Sequence, residues 1–473
     1  MSNDAQTNPA EAPLTFDNER ARARFLDDLR AVVGDEHLLV SSDLRASYET
    51  DWTRRWTGSS IAVARPANTQ EVSAVLATCQ RHHIACVAQG GRTGLVGGSV
   101  PSGNQLVLTV ERLNDIGAVD FDSGELTVGA GTTLGALQRA LSQHGWEFGV
   151  DLASRDSATI GGMIATNAGG AHVVQHGQMR EQVVALEVVL ADGTVMGGAS
   201  DVAKDNAGYD LSALMVGSEG TLGVITSARL RLVPHYRHRV LSLVGVDTLT
   251  TGLELLGHVR RSTHAVAAAE FFDHAAMQLV EQYLAMTRPV RPSPWYVLIE
   301  CASDTDPTEA MAAGLTGTPG VDDDAVAVAL DSPGRQILWS FRESITEAIA
   351  QIGVAHKLDV GVAPRLLDQF AHEVRTAVHS SFAHSSVLLF GHLAEGNVHV
   401  NVINVPPTDA TVDDLVLRLV GSMGGTIAAE HGVGRAKRDW LHLARSPAEL
   451  HVMRALKSAL DPENLLNPDV LFA

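Results

Sequence analysis

Three glycine-rich runs stand within one stretch of this chain: QGGRTGLVGGSVP from Gln89 to Pro101, ATIGGMIATNAGGAHVVQHG from Ala158 to Gly177, and GSEGTLGVIT from Gly217 to Thr226. Glycine admits positive φ and lets backbone amides approach an anion closely, so a strand leading into such a run can form a phosphate-binding concavity. A single run would read as an ordinary turn, but three inside one domain call for more than turns. A dinucleotide-binding Rossmann loop fails on spacing. Neither GGRTGLVGG nor GVGRAK at Gly432 to Lys437 gives GxGxxG with a preceding strand, a following helix and a properly spaced acidic residue. The Gly-Lys followed by Ser or Thr of a P-loop is absent as well.

The segments between the glycine runs predict a mixed α and β domain. IAVA from Ile61 reads as a short buried strand. Asn68 and Glu71 resemble a capping box, and Val72, Val75, Leu76 and Cys79 recur at helical spacing before the apolar run IACVA. Further strands are expected at Leu106 to Val110, Glu125 to Val128, Val183 to Leu190 and Gly223 to Leu232. After Pro234 the glycine motifs stop and a new series of strands and helices begins, including a strand at Trp295 to Glu300, a loop at Thr316 to Asp324 and a helix around Trp339 to Ile352. The division expected is an N-terminal tail and helical lead-in (1–55), a first domain (56–236), a second domain (237–420) and a C-terminal segment (421–473) whose Pro-punctuated end lies back on the first domain.

Composition narrows the function classes. A hydrophobic content of 45% over 473 residues supports large cores and more than one domain. The formal charge of -20 argues against a nucleic-acid binder. Cys79, Cys86 and Cys301 are odd in number and lack CxxC spacing, which fits a reducing, cytoplasmic setting. The opening MSNDAQTNPAEAP has neither a basic region nor a following apolar stretch, so it reads as a disordered tail rather than a signal peptide. No run is long enough to span a membrane, leaving peripheral attachment as the only membrane contact expected.

The C-terminal half carries the chemistry-bearing residues. GHLAEGNVHVNV at Gly391 to Val402 sets His392 and His399 either side of a turn, and AAEHGVGRAKRDW at Ala428 to Trp440 adds Glu430 and His431. Two imidazoles and a carboxylate suit a catalytic divalent metal with open positions, although some such closeness is expected by chance among 20 histidines. His399 and Asn401 are two apart, so on a strand they face one ligand together. A metallohydrolase would use these residues but leave the glycine runs without purpose. A catalytically silent flavin subunit would need no metal set.

Taken together, QGGRTGLVGGSVP, IGGMIATNAGG, GSEGTLGVIT, GHLAEGNVH, AEHGVGRAKRD and LDPENLLNP resemble the vanillyl-alcohol oxidase and p-cresol methylhydroxylase (PCMH) family, in its D-2-hydroxyacid dehydrogenase branch, from about residue 45 onward. The fold implied is α+β: a two-subdomain PCMH-type FAD-binding domain, an α/β substrate or cap domain, and a C-terminal segment returning to the flavin. The resemblance implies FAD contacts from Gly90, Gly91, Thr93, Gly94, Gly161, Gly162, Thr166, Asn167, Gly169, Gly170, Gly220 and Gly223. It implies a divalent metal, zinc or else manganese, on His392, His399 and Glu430, with His431 as catalytic base and with His431 and Asn401 facing the substrate. Arg342, Thr346 and Lys357 coincide with its carboxylate-binding positions, and the Arg342 and Thr346 spacing places them on one face of a helix. A D-2-hydroxyacid is the expected substrate, D-2-hydroxyglutarate ahead of D-lactate or glycolate. Electrons are expected to pass to a separate acceptor such as an electron-transfer flavoprotein or a quinone, and a homodimer is compatible with the pattern. Non-covalent FAD is expected because GGRTG offers no His, Cys or Tyr; His172 and His176 are the remaining attachment candidates. Arg92 departs from the Asn common at its position, and VVQHG at Val173 to Gly177 lacks the branch's usual aromatic or basic residues.

Overall fold

The computed structural model describes residues 19–198, 202, 206–407 and 409–472; the polar N-terminal tail at residues 1–13 lies outside them. The first domain is built on two four-stranded sheets. In the first, Ala62–Ala64 and Cys86–Gln89 flank Leu106–Thr109 in parallel, joined by the helix Thr69–Arg81. The Asn68 side chain accepts the Glu71 amide, while the Glu71 carboxylate reaches back to the Ala67 amide, so the expected cap forms one residue wider than a strict box. The lead-in belongs to this domain: Leu38–Leu39 pairs with the first sheet, and Phe25, Leu26 and Leu29 of the helix Glu19–Val33 enter its core. The second sheet orders Glu125–Gly129, Val224–Arg231, Val183–Val189 and Val195–Gly197, all antiparallel.

The second domain is one seven-stranded sheet, antiparallel throughout. Its order is Val326–Ala329, His238–Val246, Trp295–Ser303, Val266–Asp273, Ser386–His392, Asn397–Ile403 and His356–Gly361. Period-two alternation gives each face its own apolar core. Helices Leu249–Ser262, Thr308–Thr316, Leu367–Ser381 and Thr411–Ser422 cover one face, while His274–Leu284, Ser332–Glu343 and Ile345–Ile352 cover part of the other. The helix expected around Trp339 to Ile352 is therefore two, broken at Ser344, so Arg342 and Thr346 do not share one continuous helical face.

The C-terminal chain returns to the first domain. Leu466 forms a parallel bridge with Cys86, so the tail extends the edge of the first sheet immediately before the first glycine run. Asn467 fixes it there, accepting from the Ala88 amide and donating to the Glu219 carbonyl. Buried Lys457 stitches the same junction by donating to the Thr221 and Leu466 carbonyls.

Candidate active site

The second domain's sheet carries a largely buried polar set imposed by register. Glu270 lies opposite His392 and His392 opposite Asn397; Phe390 and Asp359 both lie opposite His399; Lys357 lies opposite Asn401. Residues directly opposite in an antiparallel pair project to the same side, so Glu270, His392, Asn397, His399, Asp359, Asn401 and Lys357 share one face.

Within this set the atoms are aimed. Nε2 of His392 is 3.2 Å from one Glu430 carboxylate oxygen, and Nε2 of His399 is 3.7 Å from the other. One ligand atom from each of the three lies within 4.8 Å of the others, a separation a single cation can bridge. The opposite ring nitrogens meet carboxylates: Nδ1 of His392 is 2.6 Å from Glu270 and Nδ1 of His399 is 3.6 Å from Asp359. A carboxylate behind each imidazole orients the ring and leaves Nε2 as the donor atom, as metal-ligating histidines require. The three residues therefore fit a divalent cation, their nitrogen and oxygen donors being of the kind such ions take.

Two positions that the sequence reading passed over organise this geometry. Buried Asp359 accepts the amides of Ala429, Glu430 and His431 with one oxygen and the Asn397 amide with the other, so it shapes the loop that presents Glu430. Burial alone would raise its carboxyl, but His431, Lys437, His399 and these donors hold it well below the usual carboxylate range. Buried Glu270 ion-pairs with Arg342 at 2.8 Å on one side and His392 on the other. Their signal was an acid set among apolar strand residues, Leu358-Asp359-Val360 and Ala269-Glu270-Phe271. Burial pushes His399 down to about 3, which keeps its imidazole neutral. At His392 burial acts the same way, but the Glu270 and Glu430 charges outweigh it and raise the ring's pKa.

The glycine runs meet this set across the domain junction. Glu430 accepts the Gly170 amide at 3.0 Å, and a side chain on Gly169 would run into Val173 and Glu430. Glu219, at φ +52° within the third run, accepts the Val433 and Gly434 amides and so ties the His431 loop to the first domain. A 470 Å³ cavity bounded by Val173, Gln178, His392, Asn397 and Glu430 opens along this junction. Between the first two runs lies a second cavity of 370 Å³, lined by Gly90, Gly91, Gly131, Thr132, Ser157 and Thr159. A Cβ on Gly91 would fall 1.7 Å from the Ser157 carbonyl and one on Gly90 2.3 Å from the Thr159 hydroxyl, so the backbone there is bare and close, a fit for an extended phosphate-bearing cofactor.

The other expected cofactor positions have local partners. Thr166 bonds back to the Gly162 carbonyl; Asn167, left-handed, ends its helix and contacts Gln178 and Arg180; Gly161 packs on Ala130, Gly220 on Asn467 and Gly223 on Val188. Gly94 is exposed and Thr93 partly buried on the same loop. Arg92 takes φ +58°, a conformation Asn adopts readily, and lies over the Tyr48 ring at 4.6 Å. Half-buried His176 stacks on Tyr236. Of the residues expected to face a substrate, His431 stacks on His399 with ring centres 5.6 Å apart, its side chain 33% exposed. Asn401 is buried, Arg342 and Lys357 are partly buried, and Thr346 lies just past the helix break.

A bare-backbone cradle in one domain, closed by a metal-type site on the sheet of the next, defines a two-domain flavoenzyme architecture. Solved structures share the fold: p-cresol methylhydroxylase with substrate bound superposes with a TM-score of 0.77 at 15% identity, covering 96% of this chain and 97% of that one. A 4-ethylphenol oxidase from Gulosibacter chungangensis gives 0.76 at 15%, covering 96% and 98%. Residues 60–197 match the FAD binding domain family and residues 236–471 the C-terminal domain of FAD linked oxidases. Among relatives, the D-2-hydroxyglutarate dehydrogenase of Xanthomonas citri pv. viticola is 38% identical over 442 residues, covering 90% of this chain and 92% of the relative. The mitochondrial D-2-hydroxyglutarate dehydrogenase of Bos taurus is 37% identical over 431 residues, covering 88% and 78%. The chain belongs to the FAD-linked oxidase family, in the group of the D-2-hydroxyglutarate dehydrogenases, and is an FAD-dependent oxidoreductase. Among the described residues no helix is long and apolar enough to cross a membrane.

Proposed function

We propose that this enzyme oxidises a D-2-hydroxyacid to the 2-oxoacid, with a dicarboxylate such as D-2-hydroxyglutarate favoured and a separate acceptor taking the electrons. The observation that carries the reading is the meeting of His392, His399 and Glu430 beside Gly170 of the flavin-type domain. Gly90 and Gly91 with Thr159 would hold FAD, which would supply the hydride acceptor, and His392, His399 and Glu430 would hold a divalent cation, which would supply the charge that makes the substrate hydroxyl more acidic. His431, accessible beside His399, takes the hydroxyl proton. Asn401 orients the same end of the substrate, and Arg342 and Thr346 close the neighbouring wall.

Lys357 is the better candidate for a distal carboxylate. It lies level with Asn401, and burial lowers its pKa by disfavouring the charged ammonium. Arg342 already answers Glu270 and so steadies the His392 ligand as well as adding positive charge. The dehydrogenase names of the relatives favour a separate acceptor, an electron-transfer flavoprotein or a quinone, over oxygen.

Anaerobic titration with a panel of D- and L-2-hydroxyacids, followed by flavin absorbance, tests the reading. Bleaching by D-2-hydroxyacids, strongest with the dicarboxylate and abolished by a chelator that leaves the flavin bound, is expected. Bleaching by L-acids, or full activity in a preparation free of divalent metal, overturns it. Acid precipitation should release the FAD into the supernatant; flavin retained by the precipitate would establish a covalent link.

A further inference from the structure

We infer that Trp52 sets substrate specificity by walling in the distal carboxylate at Lys357; the inference rests on the dicarboxylate reading above. Trp52 belongs to the loop Asp51 to Trp56, which precedes the flavin-type domain's first buried strand yet reaches the second domain's sheet. Its ring centre lies 5.8 Å from Nζ of Lys357, within cation–π range. The residue is nevertheless 62% exposed. A tryptophan that leaves most of its surface in water adds little to folding where it stands, whereas a ligand docking at Lys357 would cover both groups.

The loop is built to hold the ring in place. Asp51, 5% exposed, accepts the Thr53 hydroxyl at 2.7 Å and the Trp56 amide at 3.3 Å, and its own amide donates to the Trp56 carbonyl. Arg54 supplies the left-handed residue of the turn. At one end Trp56 packs where a side chain on Gly97 would collide with it, and Arg435 of the His431 loop lies over its ring. Next to it in the chain, Arg55 bonds Asp413 at 3.0 Å, and Asp413 faces His356, the neighbour of Lys357. One short loop therefore touches the first glycine run, the catalytic-base loop and the lysine strand. Trp52 is its exposed tip beside the one cation best placed for a second carboxylate.

Lys357 and Trp52 thus form a half-built binding corner: the ammonium supplies charge, and the indole excludes water from the ion pair that a distal carboxylate completes, strengthening it. A substrate lacking that carboxylate gains nothing from the corner. Trp52 is a positioning and specificity residue rather than one that touches the reacting atoms.

The test compares holoenzymes of wild type, Trp52→Ala, Trp52→Phe and Lys357→Ala in the anaerobic reductive half-reaction, with D-2-hydroxyglutarate and D-lactate. The dicarboxylate-to-monocarboxylate ratio of kcat/KM should fall about tenfold in Trp52→Ala, chiefly through KM, and be largely restored in Trp52→Phe. Quenching of tryptophan fluorescence by the product 2-oxodicarboxylate should be smaller in Trp52→Phe than in wild type. Flavin content and melting temperature identify any variant that has failed to fold. An unchanged ratio in Trp52→Ala beside a lowered ratio in Lys357→Ala overturns the inference and leaves the dicarboxylate reading standing. An unchanged ratio in Lys357→Ala overturns both.

Discussion

The glycine cradle proposed for FAD and the His392, His399 and Glu430 set proposed for a metal face each other across one junction but are built by opposite means. The cradle is bare backbone: at Gly91 a single added carbon would fall 1.7 Å from a carbonyl, so function there depends on what is missing. The metal-type site is dense with side chains. His392 and His399 come from adjacent strands, Glu430 from a loop, and each imidazole is backed by an acid from a further strand. A cradle of this kind tolerates change in side chains that point away from it, whereas the metal-type site depends on a chain of charged contacts from Arg342 through Glu270 to His392. The two regions should therefore fail differently, with cofactor and metal lost separately.

The largest effect expected is from Glu430→Ala, which removes a proposed metal ligand and the acceptor of the Gly170 amide. Turnover should fall on the order of a thousandfold, equivalent to about 4 kcal/mol of metal-assisted stabilisation, while flavin absorbance is retained. Loss of flavin together with metal would break the contrast between the regions. Glu270→Gln should weaken metal affinity by roughly 10- to 100-fold, the usual cost of an acid behind a ligating imidazole. Metal titration of flavin-loaded protein measures this directly.

Next come the two cations. Lys357→Ala should cost the dicarboxylate about 1.5–3 kcal/mol in kcat/KM through a lost charge-assisted hydrogen bond, and spare D-lactate by comparison. Arg342→Ala should weaken both acids, because it also strands Glu270. Equal selectivity in the two variants would make Arg342 a second distal-carboxylate contact. On the cradle side, Gly91→Ala should destabilise the flavin-type domain by roughly 1–3 kcal/mol and release FAD, with metal binding intact, as read by melting temperature and equilibrium dialysis.

The smallest effect concerns pH. Hydrogen bonding to Asp413 raises the pKa of buried His356. Its stabilisation is therefore fully present below the ordinary histidine value of 6.5 and is lost as pH rises through the raised folded value. Asp413 moves the other way: burial opposes ionisation, but His356 and Arg55 lower its pKa, so its contribution is lost as pH falls below the ordinary 3.8. The melting-temperature advantage of wild type over His356→Gln should shrink on the alkaline side only, across melts from about pH 5 to about pH 9. A constant difference would show that His356 acts by packing.

What the sequence by itself determined is local. Glycine run lengths and their spacing, the Asn68 cap with Val72, Val75, Leu76 and Cys79 behind it, and the alternation through His392, His399 and Asn401 are short-range patterns, and the elements formed where those patterns stand. Only the tertiary structure decided the rest. Nothing in the neighbourhood of Glu270 says that it will lie opposite His392, or that Asp359 will gather three amides from a loop some seventy residues later, because register between strands distant in sequence is set by packing of the whole sheet. The break at Ser344, which parts Arg342 from Thr346, and the approach of Trp52 to Lys357 are products of the same packing. Local propensity chooses the elements, but charges separated by hundreds of residues meet only once the two cores have closed around them.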